Sequence, residues 1–313
     1  TQSPSGEKTG QIQGQKVTPI KGVAPQIQGQ KVPRIIGVEA QRREGDVPPD
    51  LRTAPSGTGT IADFKYHGGP IINTPRVYAI FLGDWTSASN QNRATRLSQF
   101  MSDLLNSQYM NILTQYGCGT TGTVANSVFI ESSDHDLSGT DINNILQTAI
   151  NGNKVPEPTN PSICYVIFLD DATAVNTSDA VMCEPDSDNA FGFHDFFKTT
   201  AGNTCAYSII PGLNDACLTH SCNSDSQCSL HLAQTQEQRQ TQVTSHELAE
   251  MFSDPQLNAW FSPTQGGENG DICNGRSGTI TVGSNTWNVQ LMYSKWDDMN
   301  TNGTSTCLLN PPN

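Results

Sequence analysis

The chain has 313 residues, with 17 Lys and Arg against 30 Asp and Glu, for a formal net charge of −13. That length accommodates one large domain or two modest ones, and no apolar run approaches the roughly 18–20 residues of a membrane helix. So acidic a balance argues against nucleic-acid binding, which needs a basic face.

The charge is unevenly spread: residues 1–60 carry a net +3 and residues 61–313 a net −16. Gln11 to Val17 recurs intact at Gln26 to Val32, in a stretch without aromatic residues. Two copies are too few for a solenoid. Residues 1–58 therefore read as an extended, low-complexity repeat tail or pro-segment, and residues 59–313 as one domain. Nine cysteines without a CxxC pair suggest a disulfide framework in a secreted, extracellular protein. The chain opens at Thr1 without a basic-apolar leader, as a mature form freed of its signal peptide would. Two Asn-x-Ser/Thr sequons, at Asn176 and Asn302, are compatible with that compartment.

Along the chain, Val77 to Leu82 is a short apolar run expected as a buried strand. Gln91 to Tyr116 has helical spacing and stops at Gly117. Val124 to Glu131 reads as a strand, and Asp141 to Ile150 as a helix with Thr140 as its N-cap. Ile163 to Leu169 is the most strand-like segment and carries Cys164, the candidate free thiol. Phe191 to His194 and Ala206 to Ile210 are further strands, and a polar helix runs from Thr235 to Ser253, stopped by Asp254-Pro255. Ile280 to Val282 and Trp287 to Tyr293 form a hairpin or small sheet, with Cys273 and Cys307 flanking it as a candidate disulfide. Connectivity within Cys183 to Cys228 stays open. Strands alternating with helices predict an α/β fold: a single layered domain with a mixed sheet.

The chemistry concentrates in Ser245-His246-Glu247-Leu248-Ala249-Glu250. Positions i and i+4 share a helix face, so His246 and Glu250 can clasp one metal ion, with Glu247 placed as a base toward water. This is the HExxH logic of zinc hydrolases with Glu in place of the second His, which makes the helix zincin-like. Glu268 follows Glu250 by eighteen residues and is the expected third ligand; Asp271 is the alternative ligand or an outer-shell partner. A second imidazole would complete the set. His194, after an apolar run and before Asp195, is the first choice, and His67 in Tyr66-His67-Gly68-Gly69-Pro70 the second. No GxSxG elbow, Walker A loop or GxGxxG turn is present. The pairs Asp170-Asp171 and Asp297-Asp298 are expected as solvated loop ends.

The order Tyr66-His67-Gly68-Gly69-Pro70, Gly83-Asp84-Trp85, Phe191-Gly192-Phe193-His194, Ser245 to Glu250, Asp254-Pro255, Asn258-Ala259-Trp260 and Glu268 to Cys273, closed by Cys307, resembles the plant phosphate-induced or Exordium-like extracellular proteins. The resemblance spans about residues 64–310. It implies a secreted single α/β domain with cell-wall contact, marks His194, His246, Glu247, Glu250, Glu268 and Asp271, and does not settle an activity. The repeat tail and the Cys217 to Cys228 stretch depart from it.

The reading that follows is a secreted zinc metallopeptidase acting on protein or peptide substrates, with Zn²⁺ as cofactor and Ca²⁺ as an alternative structural ion. It has no nucleic-acid partner and no membrane insertion. The competing reading is a non-catalytic extracellular cell-wall or binding protein with a structural metal site. An acid-active glycosidase using paired carboxylates is a third reading with no motif behind it.

Overall fold

A computed structural model describes residues 61, 63–177, 180–183, 189–222, 230–264, 267–301 and 306–310, all within the unit Val32–Asn313. The repeat tail at 1–58, Cys228 and the sequon at Asn302 lie outside the described residues.

The centre is a mixed sheet. Strand β1 (Arg76–Leu82) leads into helix α1 (Ala88–Leu105), and two short strands follow, β2 (Thr123–Val124) and β3 (Val128–Ile130). The expected single strand over 124–131 is thus two pieces, both parallel to β1 at its outer edge. Helix α2 (Gly139–Asn151) precedes β4 (Ile163–Leu169). Then come β5 (Phe193–Lys198), β6 (Thr204–Ile210) and the short helix α3 (Asp215–Ser221). The order is β5–β6–β4–β1 with β2 and β3 outermost, and every pairing is parallel except β5 with β6.

The sheet is buried on both faces, which is why β1 and β4 read as continuous apolar runs. Tyr78, Ile80, Leu82, Tyr165, Ile167 and Leu169 pack with Ile142 and Leu146 of α2. The alternate residues Val77, Ala79, Phe81, Cys164, Val166 and Phe168 pack on the opposite side, with α1 and the helix that carries the HExxE motif.

Helix boundaries differ from expectation where short polar side chains compete for the backbone. The helix expected over 91–116 breaks after Leu105. Asn106 closes α1, and Ser107 accepts from the Tyr109 N–H to start a 3₁₀ segment, Gln108–Tyr116. Gly117, at φ 87°, ends that segment in the left-handed conformation. The N-cap of α2 is Ser138 rather than Thr140. An acid three residues on, Asp141, returns a bond to the Ser138 N–H at 2.8 Å and completes a capping box.

Helix α4 (Gln236–Ser253) starts at Thr235, whose capping box uses Gln238, and stops at Asp254 before Pro255. Its composition suggests a solvated face, yet every residue from Arg239 to Ser253 is buried. It packs against β5 and β6 on one side and, on the other, against β8 (Asn285–Gln290), the partner of β7 (Ser277–Val282) in the C-terminal hairpin. Several of its polar side chains find partners inside: Gln240 Nε2 donates to Pro211 O at 3.0 Å, and Ser245 Oγ accepts from Gln290 N at 2.9 Å.

Disulfides join Cys183 to Cys217 and Cys273 to Cys307, and Cys222 is also disulfide-bonded. Among the described residues Cys118, Cys164 and Cys205 are free and buried. Burial pushes the Cys118 thiol up to about 12.

The acidic pairs are not solvated loop ends. Asp170 is buried and takes the backbone N–H groups of Asp84 (2.6 Å) and Thr173 (2.8 Å), while Asp171 alone reaches the surface and pairs with Arg93 at 2.7 Å. Asp297 and Asp298 are both buried, and Asp298 Oδ2 takes the Ile61 N–H and the Tyr293 hydroxyl at 2.7 Å each. No helix among the described residues is long and apolar enough to cross a membrane.

Candidate metal centre

Three elements converge behind the sheet. Helix α4 supplies His246, Glu247 and Glu250; strand β5 supplies His194 from the face turned toward α4; the turn around the 3₁₀ segment Asp271–Cys273 supplies Glu268 and Asp271. His194 pairs across the sheet with Ser208, so its alternation places Phe193 against α2 and the imidazole on the α4 side.

The helical i,i+4 spacing holds His246 Nε2 3.1 Å from Glu250 Oε1, and Asp271 Oδ1 lies 3.7 Å from the same nitrogen. His194 Nδ1 lies 3.6 Å from Glu250 Oε2 and 3.7 Å from Glu247 Oε2. Glu268 Oε1 faces the other ring nitrogen of His194 at 3.6 Å. All six side chains are at most 5% exposed. Two triads therefore sit close enough to hold an ion: His246, Glu250 and Asp271, and His194, Glu247 and Glu250. His67 lies elsewhere, stacked on Phe261 with Nε2 3.1 Å from the Phe261 carbonyl.

The electrostatics are those of ionisable groups crowded together with few hydrogen bonds among them. Among the described residues, His194 Nδ1, both nitrogens of His246, both oxygens of Glu247 and of Glu268, and Glu250 Oε2 are buried without a hydrogen-bond partner. Such groups are costly unless something binds them. Burial works to lower the pKa of both histidines, but the surrounding carboxylates win: Glu268, Glu247 and Glu250 hold His194, and Glu250, Glu247 and Asp271 hold His246, well above the ordinary imidazole value. Burial drives Glu247, Glu268 and Asp271 above the usual carboxylate range. For Glu250 burial also pushes upward, but His246 and His194 outweigh it and keep the carboxylate ionised.

Some of the site has no motif of its own. The Asp254 carbonyl takes a bond from His194 Nε2 at 3.2 Å, and Asp271 N donates to Glu250 Oε1 at 3.0 Å. Gln290 Nε2 donates to Gly270 O at 2.7 Å, and its main-chain carbonyl takes the Tyr109 hydroxyl at 2.9 Å. Two glycines make room. A Cβ on Gly192 would lie 2.8 Å from Glu247 Oε1, and one on Gly270 2.7 Å from Glu250 Oε1 and 2.9 Å from His246 Nδ1. Gly270 has φ −77°, open to any residue, so space alone requires glycine there. Gly270→Ala removes no candidate ligand from the sequence but displaces the Glu250 and His246 side chains. It should weaken any metal binding at this cluster about 10–100-fold, as loss of supporting contacts commonly does. Competition against a chromophoric chelator measures this, and unchanged affinity would dissociate Gly270 from the site.

The fold and site define a disulfide-bonded mixed α/β protein with a buried cluster of two imidazoles and four carboxylates behind its sheet. No family model matches the chain. It is similar to Protein EXORDIUM-like 3 of Arabidopsis thaliana, at 26% identity over 273 residues covering 74% of each chain. It is also similar to Protein EXORDIUM-like 5 of the same plant, at 22% identity over 258 residues covering 71% of this chain and 67% of the relative. Exordium-like proteins are thus its homologues.

Proposed function

We propose that this chain is a secreted metal-dependent hydrolase, with a zincin-like use of α4 and peptide bonds as its substrate class. The observation that carries this is the set of buried donor atoms without hydrogen-bond partners around His246, Glu247 and Glu250. His246, Glu250 and Asp271 would hold the cation, with His194 and Glu268 beside them. Imidazole nitrogens mixed with carboxylate oxygens suit Zn²⁺ better than Ca²⁺, which prefers six to eight oxygens. A zinc ion there would supply acidified water and polarisation of the scissile carbonyl. Glu247 takes the proton as the water oxygen adds to the carbonyl carbon, then delivers it to the amine as the C–N bond breaks. The disulfides fit an oxidising, extracellular compartment.

A second reading has an observation of its own. The near-complete burial of the cluster suits a closed, structural metal site in a non-catalytic extracellular or cell-wall protein.

The deciding experiment is metal analysis by inductively coupled plasma mass spectrometry on the full chain and on His246→Ala, followed by a peptide-library screen. Zinc at about one or more per chain, diminished in the variant, together with chelator-sensitive cleavage, supports the hydrolase. Zinc retained without cleavage moves the assignment to the structural reading. Calcium, or no metal in either protein, overturns the zinc mechanism.

A further inference from the structure

We propose that the cluster is a two-cation centre in which Glu250 is the shared carboxylate. Its Oε1 serves an ion held with His246 and Asp271, and its Oε2 serves a second ion held with His194 and Glu247. This rests on the metal-binding reading above and extends it.

Geometry comes first. Two ligand atoms about 2.1 Å from one tetrahedral ion stand about 3.4 Å apart. The donor pairs of the first triad are 3.1 and 3.7 Å apart, and those of the second 3.6 and 3.7 Å. Both sets therefore have the spacing of ligands around a common centre. The two oxygens of Glu250 face different imidazoles, His246 and His194, as a bridging carboxylate requires.

The tautomer of His194 is the second line. A backbone carbonyl only accepts, so the bond to Asp254 O places the ring hydrogen on Nε2. Nδ1 is therefore the nitrogen left to face Glu247 and Glu250, among which it has no hydrogen-bond partner, and the side chain is fully buried. A cation between them would take the place of a proton on Nδ1. Glu268 lies against Nε2, at 3.6 Å, on the other side of the same ring from Nδ1. It fits the outer carboxylate that orients a metal-bound imidazole.

Charge balance is the third. Fully ionised, Glu247, Glu250, Glu268 and Asp271 would bring four negative charges into this buried volume. One divalent cation with neutral imidazoles leaves two of them uncompensated, whereas two cations balance all four. Asp254 stands outside this count, its carboxylate being committed to the Asn258 and Ala259 N–H groups at 2.6 Å each.

The one-ion and two-ion arrangements assign Glu247 differently: as a base in the first, as a ligand in the second. The test loads the full chain with zinc, dialyses it and counts ions by mass spectrometry. The expectation is about two per chain in the parent, about one in His194→Ala and in Glu247→Ala, and none in Glu250→Ala. Loading with Mn²⁺ provides a readout independent of the variants' folding. Ions bridged at about 3.5–4 Å couple magnetically and suppress the isolated six-line electron paramagnetic resonance signal. One zinc in the parent, unchanged in Glu247→Ala, with an uncoupled manganese spectrum, would overturn the two-cation centre and leave the single-ion reading intact. No bound metal in the parent would overturn both.

Discussion

Dialysis against a strong chelator is expected to lower the thermal midpoint of the protein by about 10 °C, with zinc but not calcium restoring it. Six ionisable side chains share one buried volume, and several of their donor atoms have no hydrogen-bond partner among the described residues. Without a cation they are held only by protons redistributed among themselves, an arrangement that leaves polar atoms unsatisfied. A ligand present at a thousand times its dissociation constant stabilises the folded state by about 4 kcal/mol. For a domain of this size each kcal/mol shifts the midpoint by about 2–4 °C. The loss should be cooperative, because the centre ties together elements far apart in sequence: β5, α4 and the turn that begins at Glu268. Differential scanning calorimetry on protein shown to be metal-stripped measures it. A shift below about 2 °C would mean that the cluster is satisfied without a cation, and both metal readings would fall together.

Much of this site is legible in the sequence because its spacing obeys local rules. His246 and Glu250 meet at i,i+4, and α4 is bounded by Thr235 with Gln238 at one end and Asp254-Pro255 at the other. The alternation of β5 turns His194 inward from a short apolar run. What stays hidden depends on where the chain crosses itself. Nothing local shows that Asp271 faces His246 while Glu268 faces His194; the turn at Asp271–Cys273 decides it. Gly192 and Gly270 matter because other elements approach them, which leaves no trace in periodicity. Asp170 and Asp298 look like surface acids until backbone amides or a tyrosine hydroxyl come to meet them, and Asp297 until the Ser294 hydroxyl does. The burial of α4 was illegible for the same reason. Its polar side chains find partners such as Pro211 O and Gln290 N on distant segments, so the helix can sit between a sheet and a hairpin without an apolar stripe.

The same logic makes Arg239 the residue whose loss should most damage the fold without touching the candidate centre. Its side chain is 1% exposed. Nη1 donates to Leu213 O at 3.0 Å, Nη2 to Leu232 O at 3.1 Å and Gln234 O at 2.8 Å, and Nε to His231 O at 3.2 Å. Asp215 on α3 completes the shell at 2.7 Å from Nη1. One planar guanidinium thus binds two loops to the first turns of α4. Arg239→Leu keeps much of the volume but strands those carbonyls, and it is expected to cost about 3–5 kcal/mol. Arg239→Lys retains the charge but not the fork and should recover less than half of that loss. Urea denaturation followed by circular dichroism, on metal-free samples of all three proteins, separates this effect from metal binding. Position 239 lies about two helical turns before His246, so the folded fraction of Arg239→Leu should match the parent in metal content. A loss below about 1 kcal/mol would show that the carbonyls find water or other donors when the guanidinium is gone, and that the burial of α4 does not depend on this clamp.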